Sequence, residues 1–369
     1  MTKPSKYERF RKTDFRRSPA LVFYEVTQAC GLVCQHCRAC AQTHADPNEL
    51  STLDSILLID QLTEFPEPPM LVLTGGDPLC REDIFDLIDY STRAGLETSI
   101  TPSATPLVTN EAIGLMRDSG IHRMAISIDG ANAKCHDNFR GVSGSFARSL
   151  EILQEARRVG LPTQINTTLT PGNVDQLDEM AELFAALDIS MWSVFFLVPV
   201  GRANQSSRLS ADKSEVAFEK LWEHSRRQPY RIKTTEAPHY RRFSMQQQRL
   251  LKSVSKSKKP FQATGINDGK GVMFVGHTGL IYPSGFMPIT CGQYPQENVV
   301  EVYQDSPIFQ GLRDANRLEG KCGLCEYRTI CGGSRARAYA LTENPYAEEP
   351  DCLYIPPATS TSTESTQTA

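Results

Sequence analysis

The chain has 369 residues, 40% of them hydrophobic, enough for one large core and a smaller appended one. No run of 18 apolar residues occurs and the basic N-terminus lacks the apolar stretch of a secretory signal, so a cytoplasmic protein with no membrane partner is expected. The net charge of -4 hides an uneven spread, because residues 226–260 hold eleven Lys and Arg against one acid, Glu236, which marks the stretch for an anionic partner other than nucleic acid. Eleven cysteines in a long chain without a signal favour metal or redox chemistry over disulfides.

From residue 20 onward, short β-rich runs alternate with helical patterns. Strands are predicted over 20–27, 70–74, 97–101, 123–128, 163–169 and 191–198, and helices over about 52–65, 82–94, 110–119, 145–159, 174–187 and 212–227. Asn110 and Ser145 fit helix N-caps, and Gly95, Gly120 and Gly160 fit C-terminal stops. Six βα units of this kind make an α/β fold, a partial barrel of parallel strands rather than a closed eightfold one. In such barrels the active site gathers at the C-terminal strand ends. Four distinctive loops fall there: Cys30 to Cys37 after the first strand, Thr74-Gly75-Gly76-Asp77-Pro78 after the second, Thr101 to Thr105 after the third and Ser127-Ile128-Asp129-Gly130 at the fourth.

Cys30, Cys34 and Cys37 supply three thiolates from one short loop, enough for three corners of an iron–sulfur cubane with the fourth iron open. A ferredoxin run starting at Cys34 would need Cys and Pro at 44 and 45, where the chain has His44 and Ala45. The spacing C-x3-C-x2-C, with His36 as the aromatic-type residue before the last cysteine, resembles the signature of the radical S-adenosylmethionine (SAM) enzymes. That resemblance implies a (β/α)6 partial barrel, a 4Fe-4S cluster on these three cysteines, and SAM bound to the open iron. It makes Gly75-Gly76-Asp77-Pro78 a variant of the GGEP motif facing the SAM ammonium group. Ser103, Ser127, Asp129 and Asn166 become further SAM-side residues, and Arg140 a bidentate partner for the SAM carboxylate. Cys40 is a spare thiol.

Downstream, Val198-Pro199-Val200-Gly201-Arg202-Ala203 resembles the P-x-G-R-A turn of radical SAM enzymes that handle tetrapyrroles and peptides. A basic connecting segment follows at 229–261, in which His239, Tyr240, Arg241 and Arg242 could grip a carboxylate-bearing substrate, and Lys252 to Lys259 read as a solvated flexible loop. The C-terminal module, 262–355, carries glycine-rich hairpin signals and then Cys322, Cys325, Cys331 and Cys352. Behind such a barrel these resemble the ligands of an auxiliary 4Fe-4S cluster in a SPASM or twitch domain, with a four-thiolate zinc site as the alternative. Full SPASM domains carry further cysteines where this chain has Ser284 and Ser334, so two clusters in total are expected. Cys291 is left as a spare thiol, residues 1–19 as an N-terminal extension and 356–369 as a disordered tail.

The Cys37-Arg38-Ala39, Val198 to Ala203 and Cys331 to Tyr339 segments look most like the alternative-haem and haem d1 biosynthesis enzymes, which act on tetrapyrrole propionates. The expected activity is therefore radical SAM oxidation of an anionic tetrapyrrole, fed by an external one-electron reductant, with Arg241, Arg242, Arg335 or Arg337 meeting the substrate. The alternatives are a maturase of a ribosomally made peptide and a non-enzymatic iron–sulfur electron carrier. Only about twenty residues precede the first strand, too few for a peptide-binding domain, and the glycine-rich SAM loop is of no use to a pure electron carrier.

Overall fold

The computed structural model describes residues 13–254 and 265–357. Its first six strands are β1 (Leu21–Thr27), β2 (Met70–Gly75), β3 (Glu97–Ile100), β4 (Arg123–Ser127), β5 (Thr163–Leu169) and β6 (Met191–Phe196). All pair in parallel in sequence order, and the helices between them are α1 (Thr52–Thr63), α2 (Ile84–Arg93), α3 (Asn110–Asp118), α4 (Ala133–Arg140), α5 (Ser145–Val159), α6 (Leu177–Ala186) and α7 (Ala211–Arg227). β5 shows why the strands sit as they do. Thr163, Ile165, Thr167 and Leu169 are buried against the helical layer, while Gln164, Asn166 and Thr168 are half-buried on the inner face. The same alternation buries Val22, Tyr24 and Val26 of β1 with the apolar stripes of α1 and α2.

Two expected N-caps lie one residue late. Thr109 caps α3 by accepting from the Ala112 N–H, and Gly144, at φ 83°, precedes α5, leaving Ser145 buried inside its first turn. Gly95, Gly120 and Gly160 take positive φ at helix ends, as expected of stops. α4 was not predicted. Asn132 caps it and left-handed Gly141 ends it, but eight residues rich in charge carry little apolar periodicity.

The segment from 229 continues the sheet. β7 (Arg231–Thr235) pairs in parallel with β6, and α8 (His239–Val254) follows. The anticipated flexible loop at Lys252 to Lys259 lies outside the described residues from 255 on, as does the tail from 358. After the gap, β8 (Val272–Val275) pairs in parallel with β1, and β9 (Leu280–Tyr282) and β10 (Gly292–Gln293) add antiparallel strands. The result is one ten-stranded sheet in the order β10-β9-β8-β1-β2-β3-β4-β5-β6-β7. α9 (Val299–Asp305), α10 (Pro307–Arg313), α11 (Gly320–Leu324) and α12 (Arg335–Thr342) complete the chain.

Candidate active site

The cysteine loop leaves the end of β1, where pairing with β2 shifts register between Glu25 and Thr27. Its base is pinned by Cys30 N–H to Gln42 O (2.7 Å) and Gln42 N–H to Gln28 O (3.0 Å). Cys30 and Cys34 are buried and Cys37 half-buried. Two outside segments hold the loop. A Cβ at Gly75 would overlap the Thr27 carbonyl, and one at Gly76 the Gln28 and Ala29 carbonyls. The second loop thus lies flat on the first, held by Gly76 N–H to Thr27 O (2.9 Å) and Asp77 N–H to Ala29 O (2.7 Å). On the other side, Gly201 at φ +63° sits against the Cys37 and Arg38 carbonyls, and Arg202 N–H donates to Cys37 O (3.0 Å).

Around the three thiols, Leu32 N–H donates to Cys30 Sγ (3.3 Å), Ser103 Oγ lies 3.7 Å from the same sulfur, and Arg140 Nη1 lies 3.8 Å from Cys34 Sγ. His36 stacks on Phe139 at 4.1 Å, and burial together with the Arg140 cation pushes its imidazole down to about 4, so it is neutral at pH 7. His36 Nδ1 and Arg202 Nε and Nη2 are enclosed without a hydrogen-bond partner. Donors aimed at sulfur and enclosed polar groups beside three thiols are what an anionic iron–sulfur group with a bound ligand would satisfy, so the residues fit one.

The residues expected on the SAM side divide into two kinds. Asp77 and Asp129 are wholly buried and occupied by the protein itself. Asp77 accepts from Leu79 N–H (3.2 Å), Ser103 N–H (3.3 Å) and Thr105 Oγ1 (2.7 Å), joining the second and third loops, and burial raises its pKa. Asp129 accepts from Thr168 N–H (2.7 Å) and from Arg140 Nε (2.7 Å), with Arg140 Nη2 in ion-pair contact at 2.6 Å, which aims the guanidinium at the cysteine loop. Ser103, Ser127 and Asn166 are half-buried at the inner face, and Asn166 accepts from Gln164 (2.7 Å). Pro78 opens a short 3-10 turn ending at Cys80, whose thiol is pushed up to about 11 by burial, with the Asp77 carboxylate and then Cys30 nearby.

The expected substrate-gripping residues make their contacts within the protein. Arg337 is 1% exposed, with Nη1 3.1 Å from both Glu349 oxygens and Nη2 donating to Phe196 O (3.1 Å) and Glu236 O (2.7 Å). Arg335, equally buried, donates to Gly333 O, Pro345 O and Ala347 O. Arg242 pairs with Glu215, Arg241 Nη1 donates to Ile330 O (3.0 Å), and Tyr240 is buried against Phe218 and Phe243. Of the basic residues from 226 that are described, Arg227 pairs with Glu182 and Arg249 donates to Tyr327 Oη.

His239 and Arg242 instead line a second site. With Lys321, Arg328 and Glu349 they share one small opening with Cys322, Cys325, Cys331 and Cys352. Burial pushes the Cys325 thiol up to about 11 and Cys331 up to about 12, so as free groups both are protonated at pH 7. Glu349, Tyr327 and Gly333 N–H groups donate to Cys322, Cys325 and Cys331 sulfurs at 3.3–3.4 Å. Among the described residues, no three His, Cys, Asp or Glu side chains are gathered about a single-ion position. Ser334 caps α12 and donates to Glu236 (2.5 Å), and Cys291 packs half-buried against the main core.

A third cluster escaped sequence reasoning. On β1, buried Glu25 accepts from Arg38 Nη2 (2.9 Å) and pairs with His277 Nδ1 (2.8 Å), while the Arg38 guanidinium lies 4.7 Å above the Phe274 ring. Burial opposes ionisation of Glu25, but the two cations hold it below the usual carboxylate range and it in turn raises His277. The available signal was an acid inside the apolar run ALVFYEVT.

A family model described as "Radical SAM superfamily" matches residues 24–184. Over 343 residues, 92% of this chain and 97% of the relative, the sequence is 37% identical to the "AdoMet-dependent heme synthase" of Methanosarcina barkeri. The chain belongs to the radical SAM superfamily. As a radical SAM enzyme it is related to the haem synthases and, at 27% identity over 93% of its length and 88% of the relative's, to the "Pre-heme d1 synthase" of Dinoroseobacter shibae. This sets aside the electron-carrier alternative. The SAM-bound crystal structure of Streptococcus suis SuiB shares the fold, with a TM-score of 0.72 at 17% identity over 92% of this chain and 78% of that one. Among the described residues, no helix is long and apolar enough to cross a membrane.

Proposed function

We propose that this radical SAM enzyme oxidises a propionate-bearing tetrapyrrole in haem-type cofactor biosynthesis, using one 4Fe-4S cluster on Cys30, Cys34 and Cys37 and a second on Cys322, Cys325, Cys331 and Cys352. The carrying observation is that one chain presents both a three-thiol loop leaving the end of β1 and a four-thiol opening that Arg242, Lys321, Arg328 and Glu349 also line. Likeness to haem synthases along nearly the full length of both chains supports the substrate class. Four thiols around one opening give the ligand number of either a 4Fe-4S cluster or a zinc ion, and the likeness to radical SAM enzymes favours the cluster.

Held by Cys30, Cys34 and Cys37, the first cluster with SAM would supply radical hydrogen-abstraction chemistry, and the second, held by Cys322, Cys325, Cys331 and Cys352, would supply a further one-electron centre. The residues of the chain do the positioning. Gly75 and Gly76 keep the second loop close under the cysteine loop, Asp129 orients Arg140 beside Cys34, and Ser127 and Asn166 line the inner face for the SAM ribose. Glu25 fixes the Arg38 guanidinium beside the cysteine loop. The same reading places the enzyme in the cytoplasm with an external one-electron reductant.

The test is anaerobic incubation of reduced, reconstituted protein with SAM and a propionate-bearing tetrapyrrole, following 5′-deoxyadenosine and the tetrapyrrole mass together. The two should change in step. A tetrapyrrole that stays intact while 5′-deoxyadenosine forms at the rate seen without it would sink the proposal.

A further inference from the structure

His239 opens α8 and is 1% exposed, yet neither of its ring nitrogens has a hydrogen-bond partner. One edge of the ring is fixed by Phe218, at 4.8 Å, and by Phe196, at 6.5 Å. The nearest carboxylate, Glu349, is 4.0 Å from Nδ1, beyond hydrogen-bond range. What the ring does face is the opening shared by Cys322, Cys325, Cys331 and Cys352, which it lines. An enclosed imidazole with no partner is destabilising, and that cost disappears if whatever fills the opening completes its bonding. In either protonation state the ring offers at least one N–H. Four thiolates already supply every corner of a cubane, so iron has no vacant position for the nitrogen, and sulfur is the acceptor left to it.

We propose that His239 is a positioning residue that donates an N–H hydrogen bond to a sulfur of the cluster held by these four cysteines, and so raises its reduction potential. The inference rests on the reading of the four cysteines as cluster ligands. A hydrogen bond to sulfur stabilises the reduced, more negative form, as do the Arg242, Lys321 and Arg328 side chains around the same opening. The effect is to make this centre a better acceptor of the electron left on the oxidised substrate.

The experiment uses the full-length chain with Cys30, Cys34 and Cys37 all changed to Ala, so that only the C-terminal centre remains. Iron analysis comes first. About four irons per chain are expected, and none would overturn the four-cysteine reading and this inference with it. With iron present, an EPR-monitored redox titration should show His239→Phe shifted to more negative potential. At fixed potential the reduced-to-oxidised ratio should fall roughly tenfold, which for one electron is about 59 mV. His239→Gln, which keeps an N–H, should recover most of the shift. An unchanged midpoint in His239→Phe, or equal shifts in both variants, overturns the proposal while leaving the cluster reading intact. Should the Phe variant fail to assemble, pulsed EPR of the reduced centre in protein labelled with 15N-histidine decides. A weak 15N coupling is expected, and no coupling, or a strong one signifying ligation, overturns it.

Discussion

Arg337→Met is a sharp test of the reassignment of that residue from substrate contact to internal brace. The guanidinium is enclosed, with Nη1 shared by both Glu349 oxygens, Nη2 shared by the Phe196 and Glu236 carbonyls, and Nε 3.1 Å from Asp351 though not in line for a hydrogen bond. Removing one partner of a buried ion pair costs about 3–5 kcal/mol, and two carbonyls stripped of their donor add roughly 1 kcal/mol more. A total near 5 kcal/mol, spread over an unfolding entropy of about 2.1 cal/mol/K per residue, lowers Tm by roughly 6 °C in a chain of this length. Circular-dichroism melts of metal-free wild type and variant give the comparison without a contribution from cluster binding. Adding Glu349→Gln should return part of the loss, because the stranded carboxylate is gone. A drop of less than about 2 °C, on the same entropy, would show the guanidinium to be dispensable to the fold and return it to the list of substrate candidates.

Alanine at any of Cys30, Cys34 or Cys37 should abolish 5′-deoxyadenosine formation, while Cys40→Ala largely keeps it, and full product from Cys34→Ala would contradict the ligand assignment. Anaerobically reconstituted wild type should hold about eight irons per chain and Cys331→Ala close to four, whereas about four irons plus one zinc in wild type would mean a zinc site. Gly201→Ala forces a Cβ into the Cys37 and Arg38 carbonyls at a positive φ, so its barrel cluster should load poorly, and an undiminished iron count would refute the clasp. His277 has its pKa raised by Glu25, so the stability it adds is complete below its unfolded value of about 6.5 and is lost as pH rises through the folded one. The Tm difference between wild type and His277→Gln should thus be largest near pH 6 and shrink above it, and a gap that widens with pH would reverse the assignment.

The six βα units were legible because period-two strands such as β5 and amphipathic helices such as α5 bury one face each, which leaves a rhythm in the residue types. β7 left no such mark: its residues are half-buried or exposed, and Arg-Ile-Lys-Thr-Thr reads as a polar connector. The cysteine spacings were legible because ligands from one loop must be close in sequence. The arginines were not, because a guanidinium written on the chain does not say whether it meets water or a carboxylate. Arg337 finds Glu349 twelve residues on, and Arg242 finds Glu215 twenty-seven residues back. The close packing of the second loop was not legible either: Gly75 and Gly76 leave room for the backbone of Thr27, Gln28 and Ala29, which only the folded chain brings against them.

That β8 lies against β1 while Arg337 and Ser334 reach across to the far ends of β6 and β7 has a consequence for dissection of the chain. The C-terminal portion works like a strap over an open arch, anchored on both of its feet. Cut after α8, the remaining sheet would present β1 as a bare edge, its N–H and C=O groups unpaired over Leu21 to Tyr24, and such an edge recruits strands from other molecules. A barrel-only fragment should therefore precipitate rather than fold, and the two cysteine sets are best studied by substitution within the intact chain.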